Sequence, residues 1–220
     1  MVVTISLIKV FGSSSKGNSI LVGDILLDAG ISPTKIKPKP KAVLITHSHG
    51  DHIKYMKDWM KRGVRVYGSE LEPSAFGTRI DVNDVFYIGD VKVTVTPALH
   101  DTENAVNFIL EGKDYKLLYE VDNAKRNYQV MGLTHYIAEC NWDEQTLQDN
   151  LNNGTLHEFL ADRLRSTHKS LEILLEELEI MDKSKLKEIW IAHMSDSNLN
   201  KELAKVTIQE KTGVPVYYAE

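Results

Sequence analysis

The sequence predicts an α/β fold, and three observations carry that prediction. Ala42–Ile45 is a short apolar run that reads as a buried strand, ending in the polar loop Thr46-His47-Ser48-His49-Gly50-Asp51-His52. Segments rich in β-branched residues meet across two-residue turns at Gly23-Asp24 and Gly89-Asp90, a hairpin signature. Leu171, Leu174, Leu175 and Leu178 recur at the spacing of one helix face.

At 220 residues the chain is long enough for one substantial core and is expected to be a single domain, residues 1–220. Its composition, 42% hydrophobic and 26% charged, is that of an ordinary soluble protein. No run approaches the length of a membrane span, and Thr4, Ser6 and Lys9 interrupt the first ten residues, so neither a membrane partner nor a signal peptide is expected. The single cysteine, Cys140, builds no disulfide framework and suits a reducing, cytoplasmic setting. It reads as a small buried hydrophobe, not a nucleophile. The formal net charge of −5 argues weakly against a nucleic-acid substrate. Yet nine basic residues fall between Lys35 and Arg65 against only Asp51 and Asp58. That segment is either a phosphate-contacting stretch or a solvated face.

In chain order, residues 2–10 read as a first strand. The following Gly12-Ser13-Ser14-Ser15-Lys16-Gly17-Asn18 loop offers amides and hydroxyls to a phosphate oxygen, with Ser14, Ser15, Lys16 and Asn18 as substrate-binding candidates. It lacks the spacing of a Walker-type loop. Pro33, Pro38 and Pro40, interleaved with lysines, predict an extended exposed linker. Ile53, Met56, Trp59 and Met60 predict a helix packed on the core, with lysines on its other face. Strands follow at residues 64–67, 85–88, 91–96, 105–110 and 116–121, and residues 136–143 read as a strand running into a loop. Residues 149–153 read as a polar break before a helical stretch at 156–164. Ser170 is a candidate N-cap for the leucine helix, and Glu172 suits its positive start. Glu188–Ala192, a helix at Lys201–Thr212 and a strand at 214–218 complete the chain. His135 and His157 read as surface or satisfied residues.

The histidine loop carries the chemistry. Imidazole nitrogens and carboxylate oxygens are ligands for borderline divalent ions such as zinc or manganese. His47 and His49 at alternate positions can converge on one ion while Asp51-His52 turns toward a second. His-x-His-x-Asp-His after an apolar strand resembles the hallmark of metallo-β-lactamase-fold hydrolases. That resemblance implies an αββα four-layer sandwich with a dinuclear metal site at one edge. Gly-Ser-Ser-x-x-Gly-Asn-Ser, the hairpin and Leu27-Asp28-Ala29-Gly30 resemble one branch in particular, the YycJ/WalJ-type exonucleases of bacteria and phages.

Carried onto this sequence, the resemblance implies that His47, His49 and His100 hold one metal and that Asp51, His52 and His193 hold the second. Asp122 would bridge the two. His168, ahead of the leucine helix, matches a histidine that phosphodiesterases such as tRNase Z place there to protonate the leaving group. Asp51, Asp122 and His168 are therefore the catalytic candidates. His193-Met194-Ser195-Asp196-Ser197-Asn198 resembles the last ligand motif, with Ser195 and Asn198 as substrate-binding candidates. Glu139-Cys140-Asn141-Trp142-Asp143 resembles the branch's Glu-x-Asn-His-Asp, with Trp142 in place of the histidine. Glu139 and Asn141 are candidates for orienting ligands or for a purely structural role. The cofactors implied are two divalent ions, zinc or manganese, with magnesium a further option. Their charge outweighs that of Asp51 and Asp122, which suits an anionic phosphodiester.

The activity implied is that of a nuclease, first a 5′→3′ exonuclease on double-stranded DNA of phage type, in recombination or repair. DNA is the expected partner, together with a single-strand annealing or replication protein. The alternatives are a small-molecule phosphodiesterase acting on cyclic nucleotides and an RNA-processing nuclease. Lactamase or thioesterase chemistry, needing no histidine like His168, fits less well.

Overall fold

A computed structural model describes residues 6–220. It contains two sheets. The first runs β1 (Ile8–Gly12), β2 (Ser19–Val22), β3 (Ile25–Leu27), β4 (Ala42–Ile45), β5 (Arg65–Gly68) and β6 (Gly77–Arg79), in that order across the sheet. Its β1–β3 are antiparallel and β3–β6 parallel. The second sheet comprises β7 (Val85–Ile88), β8 (Val91–Pro97), β9 (Val106–Glu111), β10 (Lys116–Glu120), β11 (His135–Glu139), β12 (Glu188–Ala192) and β13 (Val216–Tyr218), again in sequence order. β7–β10 form an antiparallel meander and β10–β13 run parallel.

The two-residue side-chain period of a strand explains how the layers stack. In β4, Ala42 and Leu44 face the second sheet, where Val93, Phe108 and Tyr119 meet them, while Val43 and Ile45 face outward. Outside the first sheet lie α1 (Gly50–Ile53) and α2 (Met56–Lys61), with Trp59 buried against Val43 and Val66. Outside the second lie α5 (Leu171–Ile180) and α6 (Lys201–Thr212), whose Leu174, Leu178 and Ile208 cover Tyr136 and Ile189. This is the αββα order expected. Between β11 and α5, α3 (Glu144–Asn152) and α4 (Glu158–Thr167) make a small satellite around Trp142, Leu147 and Ala161.

Several boundaries differ from the sequence expectation. The first strand begins at Ile8, and residues 2–5 of the expected strand lie outside the described residues. Residues 149–152 are the last turn of α3 and not a break. That helix is polar because only Leu147 is buried, and it starts because the Asp143 carboxylate accepts the Thr146 N–H at 2.9 Å. The strand β6 carries too few apolar residues to be read in advance. The proline-lysine linker is only partly exposed, since Pro33, Ile36 and Pro40 are buried and Ile36 packs beneath α2. No helix among the described residues is long and apolar enough to cross a membrane.

Candidate metal centre

Parallel strands deliver their C-terminal ends to one edge, and the candidate residues follow those ends. β4 ends at the His47 loop, β8 leads to His100, β10 to Asp122 and β12 to His193. Asp28, Asp122 and His193 have φ of +61°, +48° and +52°, a left-handed conformation that non-glycine residues seldom adopt. All three sit just past a strand end and turn the side chain into the site. Such strain costs on the order of 1–3 kcal/mol each and persists only where surrounding bonds impose it.

The expected ligands come together. His47, His49 and His100 bring one nitrogen each within 4.8 Å of one another, and so do the ligand atoms of Asp51, His52 and His193. Asp122 groups with His47 and His52 between them. The His47 and His100 ring centres are 4.8 Å apart, and those of His52 and His193 6.0 Å. His47 Nε2 and His193 Nε2 are buried without a hydrogen-bond partner. Orphaned buried polar atoms are costly, and two of them converging beside the Asp122 carboxylate fit a pair of divalent cations. Asp101, not foreseen as part of the site, places Oδ1 3.1 Å from His100 Nε2 and 3.3 Å from His49 Nε2.

Behind these groups lies a shell of orienting bonds. Asp28 is fully buried, and its Oδ2 accepts from His52 Nδ1 at 2.9 Å and from the Tyr119 hydroxyl at 2.9 Å. Its Oδ1 accepts from the Thr46 N–H at 2.9 Å. The Thr46 hydroxyl lies 3.0 Å from His47 Nδ1, so His47 and His52 are aimed through one carboxylate and one hydroxyl. Sequence reasoning assigned Asp28 no part in the site; its only signal was the Leu-Asp-Ala-Gly segment. Gly30 of that segment is needed for close approach, because a Cβ there would lie 1.8 Å from the Asp51 carbonyl oxygen. An Asp28→Ala variant is expected to lose metal affinity by about 10–100-fold, the usual cost of removing a carboxylate behind a ligating histidine; calorimetric titration with Zn²⁺ or Mn²⁺ checks this.

A fourth grouping joins Asp122 and His193 to Glu139 and His168. His168 Nδ1 donates to Glu139 Oε1 at 2.7 Å and lies 3.1 Å from Asp122 Oδ1. Glu139, fully buried, also accepts the Asn123 N–H at 2.8 Å. Of the two roles open to Glu139 and Asn141, the bonds favour orientation. Asn141 Nδ2 donates to the His193 carbonyl at 2.7 Å. Trp142, standing where the branch has histidine, donates from Nε1 to the His168 carbonyl at 3.1 Å and packs against Leu147.

The electrostatics follow from burial and these pairs. Burial, aided by the neighbouring His52 charge, lowers the His47 pKa to about 2, so this ring is neutral, as a ligand must be. Burial opposes charge on His193 and His168, but Asp122, Asp51 and Glu139 outweigh it for His193 and raise it to about 10. Glu139 and Asp122 do the same for His168, raising it to about 9. Asp122 is held well below the ordinary carboxylate range: burial would raise it, and the His193 charge with hydrogen bonds from His168 and His52 overcomes that.

The loop candidates divide. Ser15 and Lys16 are exposed and Ser14 half-buried at the edge. Asn18 is not on the open loop: it is buried, and its Nδ2 donates to Asp51 Oδ2 at 3.0 Å, within the ligand cluster. Ser13 is the loop hydroxyl that touches the site, accepting the His193 N–H at 2.9 Å. Ser195 and Asn198 are engaged in their own turn, where Ser195 Oγ accepts the Asn198 N–H at 3.1 Å and Asn198 Oδ1 accepts from Asn150. His157 occupies the N-cap position of α4 without a side-chain capping bond, and His135 sits at the start of β11, 2.7 Å from the Thr134 hydroxyl. Cys140 is buried and its thiol pKa is pushed well up by burial.

Comparison with known proteins places this geometry. The structure superimposes on the crystal structure of the metallo-β-lactamase fold protein YhfI from Bacillus subtilis with a TM-score of 0.71, 15% identity, and 97% and 95% of the two chains covered. The chain has the metallo-β-lactamase fold. Zn²⁺-bound PqqB from Methylobacterium extorquens shares that fold at a TM-score of 0.66 and 14% identity, covering 96% of this chain and 97% of the other. A diphosphatase from the PhnP family does so at 0.58 and 15%, covering 96% and 93%. In sequence, this metallo-β-lactamase-fold chain is similar to the exodeoxyribonuclease YycJ of Bacillus anthracis, 24% identical over 92% of this chain and 87% of that one. It is likewise similar to the exodeoxyribonuclease WalJ of Streptococcus pneumoniae, at 27% over 91% and 86%. No family model matches the sequence.

Proposed function

We propose that the chain is a dinuclear-metal phosphodiesterase working as a nuclease, in the first place a 5′→3′ exonuclease on double-stranded DNA. The observation that carries this reading is His168, held by Glu139 beside the ligand cluster. An alkoxide leaving a phosphodiester needs a proton, and a fixed imidazole is suited to give it. Similarity along nine-tenths of the chain to proteins named exodeoxyribonucleases points the same way.

In this reading His47, His49 and His100 would hold one ion and Asp51, His52 and His193 the other, with the Asp122 carboxylate available to both groups. Such a pair acidifies water and stabilises charge on the attacking and leaving oxygens of an in-line displacement. The protein's own groups do the rest. Asp51, held by Asn18, faces the same centre and orients the attacking water. As the new P–O bond forms and the old one breaks, His168 passes its proton from Nε2 to the departing oxygen, with Nδ1 kept on Glu139. Solvent then restores the proton. Asp28 and Thr46 keep the His47 and His52 rings from rotating.

Digestion of linear duplexes labelled at either end, with Zn²⁺, Mn²⁺ or Mg²⁺, tests the assignment. Stepwise release of nucleotides from the 5′ end, abolished by a chelator and restored by metal, is expected. No cleavage of any polynucleotide by the metal-loaded chain would remove it. The net charge of −5 favours a second reading, a phosphodiesterase for small substrates such as cyclic nucleotides. Turnover of these with none on DNA would select it, and labelled RNA in the same panel separates an RNA-processing enzyme.

A further inference from the structure

We infer that the flank formed by α1, α2 and the 31–41 segment is the track along which the substrate's phosphate backbone runs to the metal-ligand cluster. The inference rests on the nuclease reading and names the surface that reading requires.

Topology places the track. β3, β4 and β5 are parallel, and the first two end at the site with Asp28 and Thr46. The 31–41 segment must therefore return from the site to the opposite end of the sheet before β4 starts. α1 and α2 must make the same return before β5. The two returns lie side by side. Near the site the Tyr55 N–H donates to the Ala29 carbonyl at 2.8 Å, and at the far end Lys39 Nζ donates to the Arg62 carbonyl at 2.7 Å. α2 itself, Met56–Lys61, spans about 9 Å at 1.5 Å per residue.

Both rails expose basic side chains. Lys54 is exposed in the turn between α1 and α2, Lys57 is exposed on α2, and Arg62 follows at its end. Lys35, Lys37 and Lys39 stand along the other rail. None of these six has a carboxylate within 4.0 Å among the described residues; in this segment only Lys41 and Lys61 are so paired, with Asp24 and Asp58. The rail begins two residues beyond His52, so its charge is continuous with the ligand cluster. The outer face of α5, by contrast, exposes Glu172, Glu176 and Glu179. A polyanion is thus attracted to one flank and repelled by the other, which reconciles the net charge of −5 with a nucleic-acid substrate.

Fluorescence anisotropy of a labelled linear duplex, measured from low to moderate salt, tests the track. Each phosphate contact contributes about 0.9 to the slope of log affinity against log salt, so K54Q/K57Q/R62Q is expected to flatten it by about two to three. Affinity at about 0.1 M salt should fall tenfold or more. A matched loss of three exposed lysines elsewhere, K113Q/K185Q/K187Q, should leave the slope at the wild-type value. Thermal melting confirms that both variants are folded. An unchanged slope in the first variant, or equal flattening in both, overturns the track; so does polyglutamate competing as well as the duplex, which would make an acidic protein the occupant. Binding is read without turnover. If the wild-type chain binds duplex through these residues yet cleaves no polynucleotide, the nuclease assignment fails and the track stands.

Discussion

Asp122→Ala is expected to lower phosphodiester hydrolysis by at least about three orders of magnitude, or roughly 4 kcal/mol of transition-state stabilisation, in a chain that still folds. Asp122 lies between the two ligand groups and contributes to two of the four clusters around the site. Its Oδ2 is 2.8 Å from His52 Nε2, and its Oδ1 is 3.1 Å from His168 Nδ1 and 3.4 Å from His193 Nδ1. No neighbouring carboxylate can replace it: Glu139 already holds His168, and Asp28 faces the back of His52. Removing it takes away a ligand and the counter-charge of three imidazoles together. Asp122→Asn keeps the shape and loses only the charge, so the two variants should be similarly inactive. Metal content measured beside activity makes the test sharp: activity within tenfold of wild type in either variant would contradict a bridging role.

The same carboxylate bears on stability against pH in the metal-free chain. Its folded pKa is depressed well below 3.8, so its contribution is present above that value and is lost as pH falls through the folded pKa. His193 works in the opposite sense. Raised to about 10, it contributes fully below its ordinary value of 6.5, and that contribution disappears as pH rises through about 10. The metal-free chain should therefore hold its site best between these limits.

How much of this was legible in the sequence depended on how local each signal is. The His47 loop is readable because a strand-then-loop pattern concentrates four candidate ligands, three histidines and an aspartate, within six positions, and hairpins such as Gly23-Asp24 declare themselves through two turn residues. His100, Asp122 and His193 are single residues at strand ends, visible only through resemblance to a family pattern. Asp28 and Glu139 were underestimated for a physical reason. Their partners, Tyr119 and His168, are 91 and 29 residues away, so nothing nearby in the chain says that either carboxylate is buried. Asn18 was placed among phosphate-binding hydroxyls because its neighbours are polar, whereas the close approach of Gly30 folds it under the site. The last turn of α3 was missed because a helix that buries only Leu147 has almost no apolar stripe to detect.

His168→Gln is expected to lower kcat on a polynucleotide by about 10²–10⁴-fold, the range for losing a positioned general acid, with a much smaller change in KM. What separates proton donation from a structural role is the leaving group. On a p-nitrophenyl phosphodiester, whose phenolate departs without a proton, the same variant should recover most of the lost rate; an equal loss on both substrates would assign His168 to scaffolding instead. The pH dependence carries a second signature. Burial would lower this pKa, but the Glu139 charge and the hydrogen bonds to Asp122 and Glu139 raise it to about 9 in the metal-free chain. Cations held by the adjacent ligands act in the opposite direction by repelling the imidazolium. An acid must be protonated to work, so kcat should fall on an alkaline limb whose midpoint lies below about 9, and the variant should lack that limb. Glu139→Gln gives the intermediate case: the amide can still meet Nδ1 but no longer supports its positive charge. The limb should then persist and move to lower pH, a displacement that loss of packing alone would not produce.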